Sequence, residues 1–183
     1  MKKIVLFAFS VISLLLFNGN HVFAQQQSIP GPQWNFVLGD WLGEGSGKPG
    51  EGEGWFTFKK DLDGNVLIRK SETTFPAANG KPEATHADLM IVYLDNTGAL
   101  TKAIYFDNEK HVINYEVTFN ETDHSLVFTS EPQQNSPRFR LTYKSIDDAS
   151  LSIDFEIAMP NQPDAFKKYI SGKAHRRTDK KMQ

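Results

Sequence analysis

The sequence predicts an all-β protein: a ten-stranded antiparallel up-and-down β-barrel with a short N-terminal helical turn. Three observations carry that expectation. Turn signals recur from Asp40 onward at the spacing of about 8–12 residues that marks a sandwich or barrel. The runs between them alternate apolar and polar side chains, as half-buried strands do. Gly39-Asp40-Trp41 heads the first run and the basic pair Arg176-Arg177 closes the last, which suits a sheet whose two ends meet.

Taken in order, Trp34-Asn35-Phe36-Val37-Leu38 reads as a short helical turn that plugs one barrel end. Strand-like runs follow at Trp41–Gly47, Gly54–Lys60, Val66–Phe75, His86–Leu94 and Leu100–Phe106. The next are His111–Phe119, Ser125–Glu131, Arg138–Lys144, Leu151–Ala158 and Phe166–Arg177. The breaks between them, such as Asp61-Leu62-Asp63-Gly64 and Asp95-Asn96-Thr97-Gly98, hold residues that tolerate positive φ or preset a turn. Alternation is plain where Ile113, Tyr115, Val117 and Phe119 oppose Val112, Asn114, Glu116 and Thr118. Leu151, Ile153, Phe155 and Ile157 likewise oppose Ser152, Asp154 and Glu156. Short loops make successive strands antiparallel neighbours, and closure removes the two open edges a ten-strand sheet would otherwise leave. Gly39, Gly43, Gly45 and Gly47 suit a sharply bent first strand or a bulge.

The first 24 residues read as a secretory signal peptide. Lys2 and Lys3 precede an apolar run from Ile4 to Phe17, and Val22-Phe23-Ala24 supplies small or aliphatic residues at −3 and −1. Cleavage after Ala24 leaves 159 of the 183 residues, enough for one domain with a substantial core. The domain plan is a signal peptide at 1–24, a leader and helical turn at 25–36, a barrel at 37–178 and a basic tail at 179–183. The expected location is periplasmic or secreted, with no transmembrane segment after signal removal. Without Lys2 and Lys3 the mature chain carries 18 basic and 22 acidic residues, a balance of −4. That balance, with no clustered basic face, argues against nucleic acid as a partner. There is no cysteine, so the fold rests on its core rather than on disulfides.

Candidate chemistry lies in three groups. His86 and Asp88 share a strand face with Met90, which suits an imidazole oriented by a carboxylate or a polar pair at a barrel rim. Tyr105, Asp107, His111 and Tyr115 are brought to one end of the sheet by the Asp107–Lys110 turn, as a polar mouth or as turn chemistry. Arg69, Arg138 and Arg140 form the third group. Arg138 and Arg140 oppose Phe139 and Leu141, so they face solvent if the apolar face lines the cavity, and demand a carboxylate if the strand is reversed. Phe155 is expected to line the interior with Phe56, Phe58 and Met90. No compact metal-ligand set, G-x-S-x-G, phosphate loop or dinucleotide fingerprint occurs. Whether the protein is an enzyme is left open.

Val37-Leu38-Gly39-Asp40-Trp41-Leu42-Gly43-Glu44-Gly45-Ser46-Gly47 resembles the opening of the lipocalin-like, or calycin, barrels, and is most similar to the nitrobindin-type branch. The ten-strand count suits that branch and the fatty-acid-binding proteins. His86-Ala87-Asp88-Leu89-Met90 and Tyr105-Phe106-Asp107-Asn108-Glu109 resemble an exported bacterial family of unknown function. The resemblance implies that Trp41 packs at the barrel end against a basic residue of the last strand, Arg176 or Arg177, with Gly39 as part of the signature. Nitrobindin-type barrels hold haem iron through a late-strand histidine. The aligned position here is Ser171, with His175 further on, so haem is kept only as an alternative and no cofactor is otherwise expected. The partner expected is a small hydrophobic or amphipathic molecule, bound without catalysis at His86, Asp88, Met90, Tyr105, His111, Tyr115 and Phe155. The alternatives are a haem-binding or acid–base isomerase barrel and a structural barrel filled by its own aromatics. The mature protein is expected to begin at Gln25, and the intact mass of the exported protein checks this: a mass retaining Met1–Ala24 overturns it.

Overall fold

The computed structural model describes residues 31–45, 52–78 and 80–178. The expected signal peptide, the leader up to Pro30, Gly47 and the basic tail lie outside the described residues.

Ten strands run in chain order: β1 (Gly39–Gly43), β2 (Glu53–Asp61), β3 (Val66–Phe75), β4 (Ala84–Leu94), β5 (Leu100–Asp107), β6 (Val112–Asn120), β7 (Ser125–Ser130), β8 (Arg138–Asp147), β9 (Ser150–Ala158) and β10 (Lys167–Arg176). Each pairs with its chain neighbours, and β1 pairs with β10, so the sheet is a closed antiparallel up-and-down barrel. Among the described residues helix is confined to lone 3-10 turns, at Pro32–Trp34 and Leu62–Gly64. No helix among the described residues is long and apolar enough to cross a membrane.

Three local expectations need correction. The N-terminal turn lies at Pro32–Trp34 rather than starting at Trp34, because Pro32 presets its first residue and its carbonyl accepts from Asn35 N at 3.1 Å. The first strand is shifted towards Gly39 and ends at Gly43. Beyond it the chain crowds β2: a Cβ on Gly45 would sit 1.9 Å from the Gly52 carbonyl oxygen, so glycine there serves close approach. Register breaks fall not in β1 but at Tyr93/Leu94, Ser145/Asp147 and Lys168/Ile170.

Alternation and register together decide which side chains face inward. Trp41 lies opposite Phe56, Phe58 opposite Arg69, Arg69 opposite Met90, and Met90 opposite Tyr105. Around the other half of the ring, Val117 meets Phe128, Phe128 meets Leu141, and Leu141 meets Phe155. The half of the barrel near the N-terminal turn is filled along its axis by buried aromatic rings. Trp34 and Val37 are fully buried and close that end, with Trp34 set edge-on against Phe128 at 6.2 Å. Phe58 and Phe128 meet Tyr143 edge-on at 5.4 and 5.9 Å, and Trp41 stacks on Phe56 at 6.0 Å. Each such ring adds a large apolar area and a favourable ring–ring geometry.

The closing seam between β1 and β10 carries its own fastening. Trp41 sits directly opposite Arg176, whose guanidinium lies 4.3 Å from the indole centre. The same guanidinium donates to the carbonyls of Leu38 at 2.5 Å, Phe36 at 3.2 Å and Asp148 at 3.2 Å. The indole N–H donates to Val37 O at 2.8 Å. Arg177 takes no part through its side chain; its backbone N–H donates to Asp40 O. Gly39 is required here twice over, since its φ is +118° and a Cβ would lie 2.7 Å from Arg176 Nη1. In denaturant melts Trp41→Ala is expected to cost about 3–5 kcal/mol, as deletion of a large buried aromatic does. Arg177→Ala should stay within about 0.5 kcal/mol of wild type. Equal effects of the two would mean that the seam is not held by Trp41 and Arg176.

Candidate functional site

Opposite the plugged end, the interior is different. The inward apolar residues Tyr105, Ile113, Phe139, Ile153 and Phe155 pack on the core but are only partly buried. Gly172 pairs with Ile153 on β9, and a Cβ there would meet nothing within 4 Å, so the β10 wall faces open space. Phe139 and Phe155 stack at 5.9 Å, and Tyr169, at the β10 bulge, sets its ring against Phe155 at 6.4 Å. Exposed Phe75, Met159, Tyr169 and Ile170 lie at the strand ends of this mouth.

Facing that apolar wall, β3, β4 and β5 supply a line of polar groups. Arg69 shares its strand face with Leu67 and is 8 % exposed. Its Nη1 donates to Asp88 Oδ1, and the Asp88 side chain is 6 % exposed. The guanidinium also lies 5.6 Å from the Phe56 ring centre and 5.9 Å from that of Tyr143. Burial works against the charge of Arg69, but Tyr143, Asp88 and Tyr105 around it more than offset that and raise its pKa. Arg69 Nε and the Tyr143 hydroxyl are buried without a hydrogen-bond partner. Burial pushes the Tyr143 hydroxyl up to about 12, so it remains an O–H.

Asp88 lies directly opposite Asp107 on β5, a like-charge pair that needs compensation on both sides. Arg69 supplies one side. On the other, Asp107 Oδ1 accepts from the backbone N–H groups of Glu109 and His111, each at 2.9 Å, and Oδ2 lies 2.8 Å from His111 Nδ1. Burial opposes the Asp107 charge, yet the backbone N–H and imidazole of His111 and the N–H of Glu109 hold its carboxyl below the usual 3.8. The Tyr105 hydroxyl lies 3.3 Å from Asp107 Oδ2 and 3.1 Å from His86 Nε2, while His86 Nδ1 lies 3.1 Å from Glu109 Oε1. The single phenolic proton cannot serve both neighbours. With His86 neutral and its Nδ1–H on Glu109, Tyr105 donates to Nε2; with His86 charged, Nε2–H donates to Tyr105, whose proton turns to Asp107. Burial, with Asp88 and Asp107 nearby, raises the Tyr105 pKa, so the phenol keeps that proton.

His86, Asp88 and Tyr105 therefore come together, and His111 joins them at the rim through Asp107, with its side chain 61 % exposed. Met90 and Tyr115 lie lower. Met90 is fully buried, and Tyr115 packs edge-on against Tyr105 at 6.5 Å and Phe128 at 6.4 Å, so both form floor rather than wall. Phe155 belongs to the opposite side, since β9 is five places round the ring from β4. Arg138 and Arg140 do not enter the barrel. Arg140 clamps Glu156 at 2.6 and 2.8 Å beneath the Phe166 ring, and Arg138 bonds Asp164. The inward arginine is Arg69, whose signal was its i,i+2 spacing from Leu67. The residues do not fit haem iron held from β10. Ser171 lies on the outer face, bonded to Asp154 at 2.5 Å, and His175, opposite Leu42, is exposed. Both nitrogens of His86 are already engaged. Among the described residues no group of three His, Cys, Asp or Glu side chains is placed to hold a metal ion.

No family model matches the chain, and no curated protein matches it.

Asp88→Leu leaves the Arg69 cation buried and alone, and is expected to cost about 3–5 kcal/mol by chemical denaturation. The double replacement Arg69→Met with Asp88→Leu should recover most of that loss; no recovery would mean that the pair is not the cause. For Asp107 the depressed folded pKa contributes stability above the ordinary carboxylate range, which is lost as pH falls through the folded value. Asp107→Asn should therefore flatten the acid side of a plot of melting temperature against pH, and an unchanged acid slope would refute this role for Asp107.

Proposed function

We propose that this is an exported barrel that binds a small hydrophobic or amphipathic molecule, without catalysis, in the half of its interior opposite the plug. One observation carries the reading: inward apolar side chains from β6, β8 and β9 are left partly exposed at that end, facing Arg69, Asp88, His86 and Tyr105. A barrel filled by its own side chains would bury Ile153, Phe139 and Phe155 as it buries Trp34, Phe58 and Phe128. Apolar walls with a few placed polar groups are the usual form of a small-molecule site. Calycin kinship, through Trp41 and Arg176, belongs to this proposal and supports the same use. Export rests on the signal-like first 24 residues.

A neutral apolar fluorophore such as N-phenyl-1-naphthylamine is expected to bind the folded protein with enhanced, blue-shifted emission. Phe155→Asp should abolish that signal and His86→Ala should only weaken it. Absence of binding to folded wild type overturns the reading, as does unchanged binding by Phe155→Asp.

A further inference from the structure

Resting on that binding reading, we infer that the site selects a head group that donates hydrogen bonds and carries no negative charge, and disfavours carboxylates. The buried arginine is the obvious partner for a carboxylate, but its charge is already neutralised from within. Arg69 Nη1 is bonded to Asp88 Oδ1 inside the barrel. The charged groups at the opening among the described residues come from four strands and one turn. Arg69, exposed Lys110 in the β5–β6 turn and exposed Lys167 opposite Ile157 are cations; Asp88, Asp107 and Glu109 are carboxylates; His86 and His111 add charge only when protonated. Both lysines lie in water at the rim, whereas among the buried groups inside the mouth the carboxylates Asp88 and Asp107 outnumber Arg69. An entering carboxylate would meet Asp88 and Asp107 side by side on adjacent strands, where like charges repel strongly in a dry environment.

The hydrogen-bond inventory points the same way. Oδ1 of Asp88 is taken by Arg69, whereas Oδ2 has no hydrogen bond among the described residues and lies 3.8 Å from His86 Nε2. That oxygen is an acceptor waiting for a donor. A hydroxyl or ammonium group supplies one, and an ionised carboxylate has none. A hydroxyl-headed amphiphile satisfies that requirement, with its tail along Phe139, Ile153 and Phe155.

The test is displacement of N-phenyl-1-naphthylamine at pH 8 by 1-dodecanol, dodecylamine and dodecanoate, which share one tail. Dodecanol and dodecylamine are expected to displace the probe at concentrations at least about tenfold below that needed for dodecanoate, the scale of one unfavourable like-charge contact. Asp88→Asn, checked for folding by its thermal melt, should erase or reverse that order by releasing Arg69. Dodecanoate displacing as well as dodecanol from wild type overturns the inference while the binding reading stands. An unchanged order in folded Asp88→Asn overturns the role given to Asp88. If the variant does not fold, the wild-type order alone decides. Failure of the probe to bind wild type is a failure of the binding reading itself.

Discussion

Everything in this molecule depends on the meeting of its first and last strands. An up-and-down sheet of ten strands has two edges, each a row of unpaired N–H and C=O groups, and only their mutual pairing removes them. The β1–β10 seam is short, with Trp41, Leu42 and Gly43 opposite Arg176, His175 and Ala174. Backbone pairing of that length is a modest tie, and side chains reinforce it. Arg176 covers the Trp41 ring and gathers carbonyls from the segment before β1 and from the turn before β9. One guanidinium thus joins the seam, the plug and a neighbouring turn. Because the plug is fixed by the same group, closing the sheet also closes one end of the barrel.

That closure sets a gradient along the barrel axis. Near the plug, Trp34, Trp41, Phe58, Phe128 and Tyr143 fill the interior with rings in edge and stacked contact. Further along, the inner wall becomes polar on β3, β4 and β5 and stays apolar on β8 and β9, and filling stops. The boundary falls at Arg69, held between Phe56 and Tyr143 and paired with Asp88. A buried ion pair adds little net stability over an apolar pair of the same shape, because two charges must be desolvated.

The mouth is also coupled internally. Tyr105 has one proton and two acceptors within reach, so the charge of His86 decides which receives it. The same imidazole faces Glu109 in the rim turn, and Asp107 anchors that turn by accepting from Glu109 and His111. The orientation of a buried phenol, the charge at the rim and the shape of the β5–β6 turn are consequently parts of one hydrogen-bonded unit.

Much of this was legible in the residues. Period-two alternation is a local property, so the strands, their number and the apolar faces of β6 and β9 could be read directly, and short loops dictated antiparallel neighbours. The grouping of His86 with Asp88 and of Tyr105 with Asp107 and His111 followed from the same parity. Parity within a strand does not say what lies across from it. That Asp88 meets Asp107, that Arg69 rather than Arg140 reaches the interior carboxylate, and that Met90 and Tyr115 fall below the mouth depend on register, which the closed ring imposes on all strands at once. Strand faces are written in the spacing of side chains along the chain; the depth at which each residue sits, and the partner it meets there, was decided only when β1 found β10.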